Sequence, residues 1–160
     1  MPLSKPKTKT AFFKLEDKTW NKLGAQMKGL PPEGWLARGT AGSWNAKDIW
    51  ANIADYMIVA RSRIPKMLRG ATLRPFDVPR YNEKQHKRNR KMRLIIAQKR
   101  IEREREKILA YLRTLSKKDL LGNPYIYGWA SFSTFNHYDE HIPDLKKIRH
   151  AIEKHEKRFK

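Results

Sequence analysis

The chain has 160 residues, which is long enough to bury a sizeable core. Hydrophobic residues make up 39% of it, with five Trp, six Tyr and six Phe, and this composition excludes an intrinsically disordered protein. It contains no cysteine, which excludes disulfides, thiolate metal ligands and a cysteine nucleophile. Lysine and arginine total 36 against 16 acidic residues, and the resulting charge of +20 attracts polyanions at long range.

The first residues, MPLSKPKTKT, carry no apolar segment behind their positive charges, and no apolar run approaches the roughly 18 residues that a membrane span needs. We therefore expect a cytoplasmic protein without a membrane segment. Residues 1–9 are predicted to form a flexible basic tail, because they combine lysines with prolines. Residues 10–160 are predicted to form a single domain.

Hydrophobic residues at three- and four-residue steps predict a first helix over residues 10–28. The sequence GLPPEG at residues 29–34 ends it, since proline cannot continue a helix. A second helix is predicted from Ala46 to Arg69, with a kink at Pro65. Asn45 is a good N-cap for that helix, and Asp48 lies three residues further on, an arrangement close to a capping box.

A third helix is predicted from Pro79 to Leu115, after a loop over residues 70–79. Between Arg80 and Lys107 it holds 12 basic and four acidic residues. The alternation of Glu with Arg or Lys over residues 102–107 is typical of an exposed, salt-bridged helix.

An aromatic-rich loop is predicted over residues 122–129, and a fourth helix from Ser131 or Ser133 to about Lys157. Four amphipathic helices without a strand pattern predict an all-α fold, a four-helix bundle with long connecting loops. The two longest loops, of about 16 residues, are long enough to frame a site at one end of the bundle.

His137 and His141 lie four residues apart on the fourth predicted helix, in line with its buried stripe. This spacing places both imidazoles on one helix face, close enough to bind one metal ion. The spacing alone also fits histidines with surface or capping roles.

Three further segments stand out, SWNAKDIWANIADY at residues 43–56, YN at 81–82 and STFNHYDEHIPDL at 133–145. Together they resemble the DinB-like superfamily, most closely the ClbS/DfsB family of four-helix bundle proteins. The family's second helix opens with W-S/T-x-K-D, and its fourth helix carries N-T-x-x-H-Y-x-E-H. The residues that match these two motifs are Trp44, Lys47, Asp48, Thr134, His137, Tyr138, Glu140 and His141. The resemblance spans roughly residues 10–155 and implies the DinB-like bundle.

In the superfamily three histidines often bind a divalent metal, nickel or zinc among them, one from the second helix and two from the fourth. The resemblance therefore implies His137 and His141 as ligands. The second-helix position is Asn52 here, whose carbonyl oxygen is a poorer ligand for these ions than imidazole. His86 and Glu140 are the candidates for a compensating ligand.

The predicted catalytic residues are His137 and His141. The predicted pocket residues are Asn52, Tyr56, Asn82, His86, Tyr138 and Glu140. Several of these have an alternative interpretation, with His86 on a solvated face, Asn82 as a cap and Tyr56 in the core. His150 and His155 are predicted to lie on the surface.

The resemblance implies chemistry on small reactive or electrophilic molecules, of hydrolase or thiol-S-transferase type. One of the two histidines would act as general base or as ligand to an activated water, and Asn52 would orient substrate or water. Because similar bundles are commonly dimers, we expect a homodimer.

Two other hypotheses stay open. The first is a binding module for nucleic acid or another polyanion, driven by the +20 charge and the arginines at 88, 90 and 93. The second is a structural homo-oligomer that has lost its activity, for which Asn52 is the best support.

Overall fold

The computed structural model describes residues 2–38 and 44–158, with side chains up to residue 155, and this part of the chain is helical without strands. Its helices are α1 Lys9–Met27, α2 Pro32–Leu36, α3 Ala46–Leu68, α4 Val78–Asn89, α5 Leu94–Thr114, a π-helix Lys118–Gly122, α6 Pro124–Phe132 and α7 Phe135–Arg158. The predicted all-α fold is confirmed, whereas the DinB-like arrangement stays a prediction. None of these helices is both long and apolar enough to cross a bilayer.

Helix α3 lies at the centre of the fold. It packs most extensively along α5 and also contacts α2, α4, α6 and α7, while α1 packs along α7. Every residue from Ala46 to Met57 is buried, because neighbours surround this part of the helix. Its polar residues must therefore find partners inside the protein.

The capping box that the sequence predicts at the start of α3 is confirmed. The Asn45 side chain accepts a hydrogen bond from the Asp48 amide at 2.8 Å, and Asp48 Oδ2 accepts one from the Asn45 amide at 3.2 Å. These two bonds satisfy backbone donors that the first helical turn leaves open. They also fix the buried Asp48 carboxylate at the end of the helix.

The prediction of one continuous helix from Pro79 to Leu115 is wrong, because the chain turns between α4 and α5. Lys47, buried on α3, donates from Nζ to the carbonyls of Asn89, Arg90 and Met92 at 3.0, 3.1 and 2.9 Å. In a continuous helix those carbonyls would accept from amides four residues ahead. The lysine replaces these bonds and stabilises the break, although no glycine or proline marks it.

The predicted loop over residues 122–129 is also wrong, since most of it belongs to α6. The Asn123 side chain caps this helix by accepting from the amides of Tyr125 and Ile126, and Pro124 occupies a first-turn position. Proline fits there because the first helical amides need no intrahelical acceptor. In the same way, the Pro31-Pro32 pair within the predicted linker begins the short α2.

Residues 2–8, part of the predicted flexible tail, lie against the helical body. The Leu3 amide donates to Asn136 Oδ1 on α7 at 3.0 Å, and the Lys5 ammonium lies 4.7 Å from the centre of the Tyr127 ring on α6. Thr8 then caps α1 through its side chain. The mobility of residues 1–9 stays a prediction.

The alternating charges of α5 are partly buried, which corrects the prediction of an exposed helix face. Glu104 is buried and pairs with Arg61 of α3 as well as with Arg103 and Lys107. Arg105 makes two hydrogen bonds of 2.8 Å to the buried carboxylate of Glu16 on α1. Some of the basic residues therefore compensate carboxylates inside the protein.

Gly24 inside α1 and Gly29 just after it provide a matched stability test. A Cβ at Gly24 would meet no atom within 4 Å, while Gly29, just beyond the helix, has a φ of 75°. We expect Gly24→Ala to raise the free energy of unfolding by about 0.5–1 kcal/mol, because alanine favours the helix. We expect Gly29→Ala to lower it by about 1 kcal/mol, because alanine is strained at positive φ. Urea denaturation measures both changes, and the same sign for the two variants would contradict the assigned backbone.

Candidate functional site

The two histidines of α7 contact each other through their ring nitrogens. His137 Nε2 and His141 Nε2 lie 3.2 Å apart, as the four-residue spacing predicts. His137 is buried at 3% exposure, and the His141 side chain retains 13%. The pair thus runs from a buried ring to one that reaches solvent.

The charge of Asp144 favours one arrangement of the protons on the pair. Two neutral imidazoles that meet at Nε2 need one donor and one acceptor. His141 Nδ1 lies 3.7 Å from Asp144 Oδ2, so the carboxylate favours a proton on that nitrogen. His141 Nε2 then accepts the hydrogen bond that His137 Nε2 donates. Neither Nδ1 makes a hydrogen bond among the described residues, so that of His137 remains a bare buried acceptor and that of His141 has only the longer electrostatic contact with Asp144.

Both imidazoles are held in the neutral form. Burial lowers the pKa of His137 well below its usual value, and repulsion from a charged His141 lowers it further. Burial also lowers the pKa of His141, opposed by the negative charges of Glu140 and Asp144. Neutral imidazoles are the form that accepts protons from a substrate.

Aromatic rings enclose His137. Phe132, at the end of α6, stacks on the imidazole with ring centres 5.3 Å apart and an interplanar angle of 14°. Tyr56 of α3 meets the same imidazole edge-on, with centres 5.0 Å apart. These contacts hold the ring in one orientation and exclude water from its faces.

Tyr56 also links the histidine to a cluster of amide side chains. Its hydroxyl donates to Asn82 Oδ1 of α4 at 2.9 Å, and Asn52 Nδ2 donates to the same oxygen at 3.2 Å. Burial and the nearby carboxylates Glu140 and Asp55 raise the pKa of Tyr56 to about 12. The hydroxyl therefore stays protonated at neutral pH and acts as a hydrogen-bond donor.

The indole of Trp44 lies between His141 and His86. It stacks on His86 with centres 5.2 Å apart, and its centre is 6.5 Å from that of His141, with interplanar angles of 29° and 27°. His86 Nε2 lies 3.2 Å from Asp48 Oδ2, which connects α4 to the start of α3. His86 is thus brought to the histidine site through Trp44 without contacting the pair itself.

Tyr138 points away from this cluster, whereas Glu140 lies at its exposed edge, where its charge acts on Tyr56 and His141. The Tyr138 hydroxyl donates to Glu16 Oε1 on α1 at 3.0 Å, and burial followed by the charge of Glu16 raises its pKa. Glu140 is exposed and lines a hollow of about 590 Å³ that also contains Pro2, Phe132 and Asn136. Of the predicted residues, the structure therefore joins His137, His141, Tyr56, Asn82 and Asn52, with His86 and Glu140 nearby, and leaves Tyr138 outside. His150 and His155 are exposed, as predicted.

Phe132 and Asp144 were not predicted as site residues. Asp144 could have been found from the sequence, because it follows His141 by three residues on the same helix face. Phe132 could not, since it precedes α7 and reaches His137 only through the turn between α6 and α7.

The imidazole nitrogens and the residues around them fit a metal ion only in part. Two imidazole nitrogens on one tetrahedral ion, each about 2.0–2.1 Å from it, lie about 3.3 Å apart, close to the 3.2 Å found here. However, the described residues contain no group of three or more His, Cys, Asp or Glu side chains able to hold an ion. Asn52, bonded to Asn82, adds at most one amide oxygen. The residues therefore fit chelation by two nitrogens and do not fit the three-histidine site that the resemblance implies.

The buried pair should make stability depend on pH. A histidine whose pKa is lowered in the folded state binds its proton only on unfolding, so acid favours the unfolded chain. We expect the free energy of unfolding to fall as pH drops below about 6.5, with up to about 1.4 kcal/mol per pH unit from each histidine. Denaturation of chelator-treated protein between pH 8 and pH 5 measures this. His137→Gln should have a shallower slope, and equal slopes would contradict a buried neutral His137.

Comparison of the chain with protein-family models, with curated protein sequences and with solved structures gives no match.

Proposed function

We propose that the chain acts on small electrophilic molecules, by hydrolysis or thiol transfer, with His141 as general base. The observation that carries this proposal is the contact between the two Nε2 atoms at 3.2 Å, with Asp144 beside the other nitrogen of His141. A carboxylate, an imidazole and a second hydrogen-bonding group in a row are the parts that activate a nucleophile.

In this reaction a water or thiol binds His141 Nε2 in place of the His137 N–H. His141 removes its proton while the oxygen or sulfur attacks the electrophilic carbon, and the proton then passes to the leaving group. Asp144 stabilises the imidazolium that forms in between. His137 holds the nucleophile through its Nε2–H, and Trp44 provides an apolar wall beside His141, with ring centres 6.5 Å apart.

A divalent ion, nickel or zinc, held by the two histidines is a secondary proposal, supported by the nitrogen spacing and weakened by the lack of a third strong ligand among the described residues. Elemental analysis of protein purified without an affinity tag tests it. One ion per chain supports it, and metal-free protein contradicts it. The homodimer is likewise a proposal, which the mass from sedimentation equilibrium tests.

The catalytic proposal predicts that the histidine variants lose activity to different extents. The assay uses an epoxide for hydrolysis and a chloronitroarene with a small thiol for transfer. We expect His141→Gln to lose about 100-fold or more in kcat/KM, because the base is removed, and His137→Gln to lose less. His150→Gln is the matched control, since His150 is exposed, and should keep the wild-type rate. Equal rates in wild type, His141→Gln and His137→Gln would refute the catalytic proposal.

Binding of a nucleic acid is a second proposed function, favoured by one hollow on the surface. This hollow, about 650 Å³, is lined by Lys5, Lys7, Lys117 and Lys118 with two apolar residues and a glycine, and no carboxylate is among its lining residues. By contrast, Arg88 bonds the buried Asp55 at 2.6 Å, so part of the basic run in α4 is already neutralised. The lysine hollow is therefore the better candidate for phosphate contacts.

We expect a single-stranded oligonucleotide to bind with an affinity that falls steeply with salt. Replacing both Lys117 and Lys118 with Gln should reduce the slope of log affinity against log salt by about 1.4, or about 0.7 for each lost phosphate contact. The matched control replaces Lys146 and Lys147, an exposed pair on α7, with Gln. Fluorescence anisotropy of a labelled oligonucleotide measures the salt slope of each double variant. Equal changes in the two double variants, or no binding at low salt, would contradict a site at the hollow.

A further inference from the structure

A cavity of about 710 Å³ opens between α1 and α5, apart from the histidine cluster. Its lining residues from α1 and the residue after it are Trp20, Asn21, Gly24, Ala25, Met27 and Lys28. Ile95, Gln98, Lys99 and Glu102 of α5 face them, and Trp35 and Trp50 complete the lining. This volume lies within the range of about 300–1,000 Å³ that small-molecule sites occupy.

Three of the five tryptophans of the chain meet at this cavity. Trp50 of α3 lies edge-on to Trp35 of α2, with ring centres 5.0 Å apart, and its centre is 6.3 Å from that of Trp20 on α1. Trp35 and Trp50 are buried, while Trp20 is half-buried. The cavity thus has an indole floor contributed by three helices, in which Trp35 and Trp50 are perpendicular and nearly covered, and Trp20 is the ring most open to an aromatic ligand.

Gly24 keeps this floor accessible. It lies inside α1, where glycine costs helix stability, and a Cβ at this position would meet no atom within 4 Å. Neither a close neighbour nor a positive φ therefore requires glycine here. What the missing side chain provides is open space beside the tryptophans.

The rim of the cavity is charged and mainly positive. Lys28 and Lys99 are exposed at its edge with one carboxylate, that of Glu102, and the whole chain carries +20. Asn21 and Gln98 add amide groups that donate or accept hydrogen bonds. A ligand with an aromatic ring and an anionic group would match both the floor and the rim.

We propose that this tryptophan-floored cavity binds a planar aromatic anion. The ring packs against Trp20, beside the largely covered indoles of Trp35 and Trp50, and the anionic group faces Lys28 and Lys99. The site shares no lining residue with the histidine cluster, so its occupation stands independently of the catalytic proposal.

Titration with naphthalene-2-sulfonate, followed by the indole N–H signals of the full chain in two-dimensional NMR, tests this site. We expect shifts at Trp20, Trp35 and Trp50, and none at Trp44 or Trp129, which lie outside the cavity. Naphthalene-2-methanol, which has a similar shape but no charge, should bind at least about tenfold more weakly than the sulfonate. Shifts at all five tryptophans, or none, would overturn the proposal.

Two glycine variants separate occupation of the cavity from adsorption to a basic surface. Gly24→Leu places a side chain in the open space and should weaken binding of the sulfonate by about tenfold or more. Gly128→Leu is the matched control, because Gly128 of α6 also has no atom within 4 Å of an added Cβ and lies outside the cavity. Equal affinity in the two variants, or preference for a naphthylmethylammonium cation, would overturn the proposal.

Discussion

The arrangement of the protein depends on a carboxylate buried in its central helix. Asp55 of α3 is 1% exposed and accepts hydrogen bonds from Arg88 and Asn89 of α4 and from Arg100 of α5, at 2.6, 2.7 and 2.6 Å. A buried charge without such partners would cost several kcal/mol, so the two following helices must dock where they satisfy it. Lys47, about two helical turns before Asp55 on α3, fixes the connection between α4 and α5 by donating to its backbone carbonyls. Arg88, Arg100 and Lys47 therefore have a structural role.

The candidate site follows from that docking. Once α4 is held against α3, Asn82 meets Asn52 and Tyr56, and His86 meets Asp48. Helix α7 then brings His137 onto the edge of Tyr56, with ring centres 5.0 Å apart. The polar cluster and the histidine pair thus belong to different helices that share one face of α3. A change that releases α4 should alter the surroundings of the histidines without touching them.

The sequence predicts the features that depend on residues close together in the chain. The capping box at Asn45 and the contact between His137 and His141 follow from three- and four-residue spacings, and both were predictable. The break after Asn89 was not, because Lys47 reaches it across more than 40 positions of sequence. Tyr138 shows a third case, since neighbouring helical residues point about 100° apart. It shares a motif with His137 but turns toward Glu16 on α1.

The most direct test of this account is amide hydrogen exchange in Asp55→Asn, compared with Asp17→Asn, a control at an exposed carboxylate that also pairs with an arginine. We expect Asp55→Asn to reduce protection from exchange throughout α4, because Arg88 and Asn89 lose their charged partner. The amides of α1 and α7 should keep their protection. Asp17→Asn should leave α4 protected. Unchanged protection of α4 in Asp55→Asn, or an equal loss in every helix, would contradict the claim that Asp55 holds α4 in place and thereby builds the site.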